Sequence, residues 1–201
     1  MKPATLENAV TDRIVAAARR HFFAHGFRGV TMDDLAEEVG MSKKTLYAAF
    51  PSKIDLLRAM LLDKFHSIEA DLDRIVSRNS PDALTTLHDL LACVQQHAAE
   101  IQPPFVRDIR RETPDMFELV QSRRRAVIKR YFGRLFDEGR RAGIFRKDIS
   151  TRMMIEILLA VTEALINPAK MAELGLTPKA GFTIIIRVIL EGVLTDKGRA
   201  K

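Results

Sequence analysis

Tryptophan is missing from this 201-residue chain, tyrosine occurs twice and cysteine once. With so few flat aromatic surfaces, neither a carbohydrate platform nor an aromatic cage is expected. A lone Cys93 excludes an internal disulfide and fits a reducing cytoplasm. No run reaches the roughly 18 apolar residues that span a bilayer. The longest, "FTIIIRVILEGVL", is interrupted by Arg187 and Glu191. The opening "MKPATLENAVTDR" lacks the apolar stretch of a secretory leader. A soluble, cytoplasmic protein without a membrane partner is expected.

Catalytic and metal motifs are equally sparse. There is no glycine-rich phosphate loop, nucleophile elbow or paired-carboxylate arrangement, so an enzyme is not expected. His21 and His25 are four apart and share a helix face, as do Cys93 and His97. Neither pair brings the third or fourth ligand of a zinc site, so no metal and no cofactor are predicted.

What is present is helix. Residues are 47% hydrophobic and 29% charged, with 10 glycines and 8 prolines, and apolar positions recur at helical rather than alternating spacing. The pattern predicts an all-α fold of about nine helices. One runs from about Leu6 to His25, with Gly26 as its left-handed stop. Next, Thr31 and Asp34 form a capping box, Val30 and Leu35 a staple, and Gly40 ends the helix after barely two turns. Ser42 caps a third helix, and Ser52 with Asp55 caps a fourth that continues to about Val76. Further helices are predicted to about Ile101, over Phe105–Arg111, over Pro114–Ala142, from Ser150 or Thr151 to near Asn167, and from Thr177 or Pro178 to Leu194. No linker or internal repeat interrupts them; the expected domains are residues 1–52 and 53–201, with the boundary along the fourth helix.

Two-turn helices are marginal alone in water, so the second and third must be held by packing. Leu46 and Phe50 share the inner face of the third, which leaves Lys44, Tyr47 and Ala48 outward and Ser42 and Lys43 at the exposed N-terminus. That is a helix-turn-helix, whose second helix enters the major groove N-terminus first. Lysines neutralise phosphates or donate to guanine O6 and N7. The hydroxyls of Thr31, Ser42, Thr45 and Tyr47 donate to phosphate oxygens. Adjacent lysines on an exposed helix are often merely solvated; the tight spacing, repeated caps and shared polar face set this case apart. Charge alone would mislead: the net charge is +6, yet residues 121–152 hold 11 Lys and Arg against 3 acids, and residues 1–65 hold 10 against 8.

The segment "GFRGVTMDDLAEEVGMSKKTLYAAFPSKIDLL" resembles the DNA-binding signature of TetR-family transcriptional regulators. Matching positions are Gly26, Thr31, Leu35, Ala36, Gly40, Ser42, Lys43, Thr45, Leu46, Tyr47, Phe50, Lys53 and Leu56, and the close match covers about residues 10–60. The resemblance implies an N-terminal three-helix DNA-binding domain joined by a long helix to a larger ligand-binding and dimerisation domain. It implies that Thr31, Ser42, Tyr47 and Lys53 anchor phosphates while Lys43, Lys44 and Thr45 approach base edges. Ala48 and Ala49 depart from the family, which commonly has larger residues there, so base readout is expected to be sparse. Lys44 stands where a small residue is usual.

The family also implies a homodimer through the last two helices, a palindromic operator on double-stranded DNA, release by a small-molecule effector and a repressor's role. Independently, "FTIIIRVILEGVL" and "MMIEILLAVTEALI" are apolar nearly all round, as helices buried on more than one side are, and a partner subunit would cover the second side. His88, Cys93, Phe105, Met116, Phe117 and Met153 are the predicted effector-pocket liners, since they mix apolar bulk with a few polar atoms. The Arg-rich run "SRRRAVIKRYFGRLFDEGRRAGIFRK" reads as a solvated face or, less simply, as a selector of anionic effectors. The competing function is an all-helical protein-interaction module without sequence-specific DNA binding.

Overall fold

The caps written in the sequence are where the chain turns. A computed structural model of the protein describes residues 3–78, 83–165 and 168–196, the side chains of 3–8, 168, 169, 172, 178, 179 and 190 excepted. Ten helices occur among the described residues: α1 (Pro3–His25), α2 (Met32–Glu38), α3 (Lys43–Ala49), α4 (Lys53–Ser77), α5 (Ala83–Ala99), α6 (Pro103–Glu112), α7 (Pro114–Arg141), α8 (Thr151–Leu165), α9 (Pro168–Glu173) and α10 (Pro178–Val193). Only one isolated antiparallel bridge, Phe145 with Leu194, stands outside them among those residues. The short α9 follows Pro168, where the sequence pattern had suggested only an end; proline at a first helical position starts a helix as readily as it stops one. No helix among the described residues is long and apolar enough to cross a membrane.

The chain forms two compact units. The first comprises residues 1–67 and 100–120, the second residues 68–99 and 121–201. This differs from the expected division at 52/53, because α6 packs against α1 and so returns to the N-terminal unit. Helices α4 and α7 each begin in the first unit and end in the second.

In the first unit Ile14, Phe22, Leu35, Leu46, Phe50, Leu57 and Met60 form one buried cluster with Phe105, Ile109 and Met116. The Phe23 and Phe105 rings meet edge to face, 4.9 Å between centroids. The Gln102 N–H donates to the Phe23 carbonyl at 3.0 Å. Burying these side chains is what stabilises α2 and α3, which could not persist alone: a Leu or Phe taken out of water contributes roughly 1.5–3 kcal/mol.

In the second unit α10 packs on α8 and α5. The turn after α7 is fixed by Gly143 at φ +75° and by Phe145, fully buried edge to face against Phe136 at 5.3 Å. Arg146 N–H donates to the Val193 carbonyl and Thr195 N–H to that of Ile144, so the end of α10 is tied to this turn.

Candidate nucleic-acid interface

The N-termini of α2 and α3 are built by side chains the sequence exposes. Thr31 Oγ1 accepts the Asp34 N–H at 3.1 Å while Asp34 Oδ2 accepts the Thr31 N–H at 2.7 Å, a complete capping box. The Thr31 backbone donor, followed by its side chain, holds the Asp34 carboxyl below its ordinary value. At the other end of α2, Gly40 takes φ +65°; Met41 N–H reaches the Ala36 carbonyl and Gly40 N–H that of Glu37. This paired closure turns the chain within two residues. Ser42 then caps α3 by accepting the Thr45 N–H at 3.1 Å, and the two hydroxyls lie 2.9 Å apart.

Orientation of α3 is set by what it buries. Leu46 is fully buried and Phe50 nearly so, whereas Ser42, Lys43, Lys44, Thr45, Ala48 and Ala49 are exposed and Tyr47 is 46% exposed. Helix α2 is itself pinned to α1: Arg13 donates to the Val39 carbonyl at 2.9 Å, and Arg20 pairs with Glu38 at 2.8 Å, with His21 Nε2 3.2 Å from the same carboxylate. The Arg20 bond, then that of His21, lowers the Glu38 carboxyl.

Six of the seven predicted DNA-contacting residues are thus solvent-facing, but they are not equally free. Lys43 pairs with Asp33 in the first turn of α2, which raises its affinity for the proton. Both partners are exposed, and such a pair stabilises little. Lys44 is exposed, a cation on a helix surface. Lys53 is half-buried: its ammonium donates to the Phe27 carbonyl and sits 4.3 Å from the Phe27 ring centroid. Burial lowers its pKa, and the Asp108 and Asp34 carboxylates partly restore it.

One residue essential to this geometry had no sequence signal. Asp108 of α6, only 7% exposed, accepts the Arg28 N–H at 2.9 Å and so braces the turn between α1 and α2. It lies 80 residues away in the chain, beyond the reach of any local pattern. Gly26, at φ +87°, is the complementary element: a Cβ there would stand 2.6 Å from Asp108 Oδ2.

The predicted effector liners divide between the two units. Phe105 and Met116 are core residues of the first unit and Phe117 packs against that core. Their apolar bulk is explained by that packing. His88 and Met153 are exposed, Met153 by 54%. Cys93 is half-buried on α5, four residues before His97, and Asp71 of α4 completes a group whose ligand atoms all lie within 4.8 Å of one another. A third side chain that could serve as a ligand thus stands beside that pair, from 22 positions upstream of Cys93, where spacing gave no hint.

In the Arg-rich run, Arg123, Arg125 and Arg130 are exposed as a solvated face requires. Arg124 is not part of that face: it turns inward to the Thr162 hydroxyl, and burial lowers its pKa. Asp137, Arg140, Arg141 and Lys147 line an open basin of about 430 Å³. Tyr131 donates to Asp73 at 2.8 Å and to the Glu69 carbonyl, and burial followed by that carboxylate pushes its hydroxyl up to about 12.

Short α2 and α3, with the polar side of α3 facing solvent, form a helix-turn-helix. Residues 14–60 match the family described as bacterial regulatory proteins, tetR family. The matched segment spans the helix-turn-helix, so this part of the chain is similar to the DNA-binding region of TetR-family transcriptional regulators. It is 31% identical over 138 residues to the probable transcriptional regulator ArpR of Pseudomonas putida, a match spanning 62% of this chain and 62% of that protein. The fold is shared along nearly the whole length with a TetR-family regulator from Agrobacterium tumefaciens, at a TM-score of 0.72 and 19% identity over 94% of this chain and all of that one. A complex of SmeT with triclosan has the same fold at a TM-score of 0.66 and 19% identity, covering 94% of this chain and 93% of that one.

Proposed function

We propose that the protein is a homodimeric, ligand-responsive repressor that places α3 of each subunit in the major groove of a palindromic operator and is released by a small-molecule effector. The observation that carries the reading is the division of α3, with Leu46 and Phe50 buried and Lys44, Thr45, Tyr47 and Ala48 exposed. Lys43, Lys44 and Thr45 would approach base edges, and Ala48 would offer an apolar contact to a thymine methyl. Thr31, Ser42 and Tyr47 would fix the register on phosphates. Lys53 joins them without leaving Phe27: an ammonium has three donors, and the carbonyl takes one.

Dimerisation through α8 and α10 is supported by what they leave uncovered. Ile184 and Val188, four apart on α10, are 50% and 66% exposed, and Met153 and Ile157 repeat the spacing on α8. A second copy would cover this surface and set two α3 helices for half-sites a helical turn or more apart. Small-molecule release is supported by the fold's use in a triclosan-bound relative. An effector acts only through different affinities for the two states.

Selection of duplexes from a random pool tests the reading directly. Enrichment of a two-fold-symmetric sequence, with binding that weakens steeply as salt rises, is expected. Lys44→Ala should then change preference among sequences, whereas Tyr47→Ala and Lys53→Ala weaken all sequences alike. No enrichment, or binding indifferent to salt, refutes the proposal and leaves the protein-interaction module.

A further inference from the structure

We propose that Asp71, Cys93 and His97 form a binding site for a thiophilic divalent transition-metal ion of the zinc class. This inference rests on the second unit alone and is independent of the DNA-binding reading. Cys93 and His97, at i and i+4 on α5, present sulfur and nitrogen on one helix face. Asp71 of α4 brings oxygen: its Oδ2 lies 2.9 Å from His97 Nε2. Its other oxygen, Oδ1, is held 2.8 Å from Arg74 NH1, which aims Oδ2 at the imidazole.

The donor set selects the ion. With all three ligand atoms within 4.8 Å of one another, a common point lies close enough for side-chain adjustment to reach the roughly 2.0–2.3 Å bonds of a tetrahedral zinc centre. A thiolate with an imidazole and a carboxylate favours zinc, cobalt or nickel and disfavours magnesium and calcium, which take oxygen ligands. One carboxylate and one thiolate balance the charge of a divalent ion, with the thiol proton released to solvent on binding. The site is enclosed but reachable: the His97 side chain is 12% exposed and that of Asp71 36%. Three protein ligands leave a fourth position for water or an exogenous donor, the pattern of an open rather than a purely structural centre. An ion held there would clip α5 to the last turns of α4.

The test uses the full chain without an affinity tag, reduced and stripped of metal, titrated with Co²⁺ as a spectroscopic probe and with Zn²⁺ in competition. One ion per chain and a thiolate-to-cobalt charge-transfer band are expected, the band disappearing in Cys93→Ser. Partners one shell out cost about 10–100-fold in affinity, so losing a ligand in His97→Ala or Asp71→Asn should cost at least about a hundredfold. Circular dichroism checks that each variant keeps its helices; should Cys93→Ser lose them, Asp71→Asn carries the comparison. No charge-transfer band at saturating Co²⁺, or Zn²⁺ affinity unchanged in the folded variants, overturns the proposal.

Discussion

Replacing Gly26 by alanine sets a backbone strain against a carboxylate the helix-turn-helix depends on. At φ +87° an L-residue is strained by about 1–2 kcal/mol. The added methyl would also stand 2.6 Å from Asp108 Oδ2 and 3.3 Å from the Pro104 Cβ. To make room, the carboxylate of Asp108, itself only 7% exposed, must turn away and release the Arg28 N–H it holds at 2.9 Å. Losing a hydrogen bond to a charged acceptor costs about 1.5–3 kcal/mol. The reduced entropy of the unfolded alanine chain returns only about 0.4–1 kcal/mol. The net expectation is a loss of about 2–4 kcal/mol.

A double-mutant cycle separates the two parts. Asp108→Ala alone leaves the Arg28 N–H without its acceptor and should cost about 1–3 kcal/mol. In that background the methyl of Gly26→Ala no longer meets the carboxylate, so the backbone strain of about 1–2 kcal/mol and the milder approach to Pro104 should remain. Urea unfolding gives the global values, and amide exchange at Leu35 and Leu46 reports the unit that carries the change. A coupling below about 0.5 kcal/mol, the scatter of independent sites, would refute the claim that Gly26 is required by Asp108.

The two residues also show where sequence reasoning stops. Gly26 reads locally as a helix stop, and that much was legible. That the same position needs glycine because a carboxylate from α6 occupies the space was not, since the contact spans 80 residues. The caps at Thr31 and Ser42, the turn at Gly40 and the inward Leu46 and Phe50 were legible because their partners lie within four residues or one helix face.

Phe105, Met116 and Phe117 illustrate the opposite case. Their composition suits a ligand pocket and a core equally well, and the return of α6 to α1 places them at the core of the first unit. The same return moves the domain boundary, which a continuous hydrophobic stripe along α4 cannot reveal. Cys93 and His97 looked like half a metal site for a related reason: helical periodicity pairs residues within one helix but is silent on which residue of α4 faces them. Local signals thus located the helix-turn-helix, whereas which helices touch is set by contacts between residues far apart in the chain.

Lowering pH should loosen the start of α2. The Asp34 carboxyl is depressed in the folded protein, so the unfolded chain binds the proton first. The stabilisation is therefore complete above the ordinary value of 3.8 and is lost as pH falls through the lower folded value. Asp34→Asn should remove this acid-side dependence, measured as the slope of unfolding free energy against pH; an unchanged slope would show that the capping carboxylate carries none of it. Two glycines of α7 supply a paired test with opposite signs. Alanine is the better helix former by about 1 kcal/mol, and at Gly133 an added Cβ meets nothing within 4 Å, so Gly133→Ala should stabilise by up to that amount. At Gly139 the Cβ would stand 2.3 Å from Phe145 Cδ2 and 2.4 Å from its Cε2. Phe145 is fully buried against Phe136, and its turn is tied to the end of α10, so the ring cannot step aside without giving up that packing. Forcing it out costs part of the about 3–5 kcal/mol that a buried phenylalanine is worth, more than the helix propensity returns. Gly139→Ala should therefore destabilise by about 1–3 kcal/mol, while Gly139→Ala with Phe145→Leu should recover part of the loss by shortening the obstructing side chain. Thermal unfolding of the four proteins settles the matter: if Gly133→Ala and Gly139→Ala shift the transition in the same direction, close packing of Phe145 on α7 is not what holds that turn.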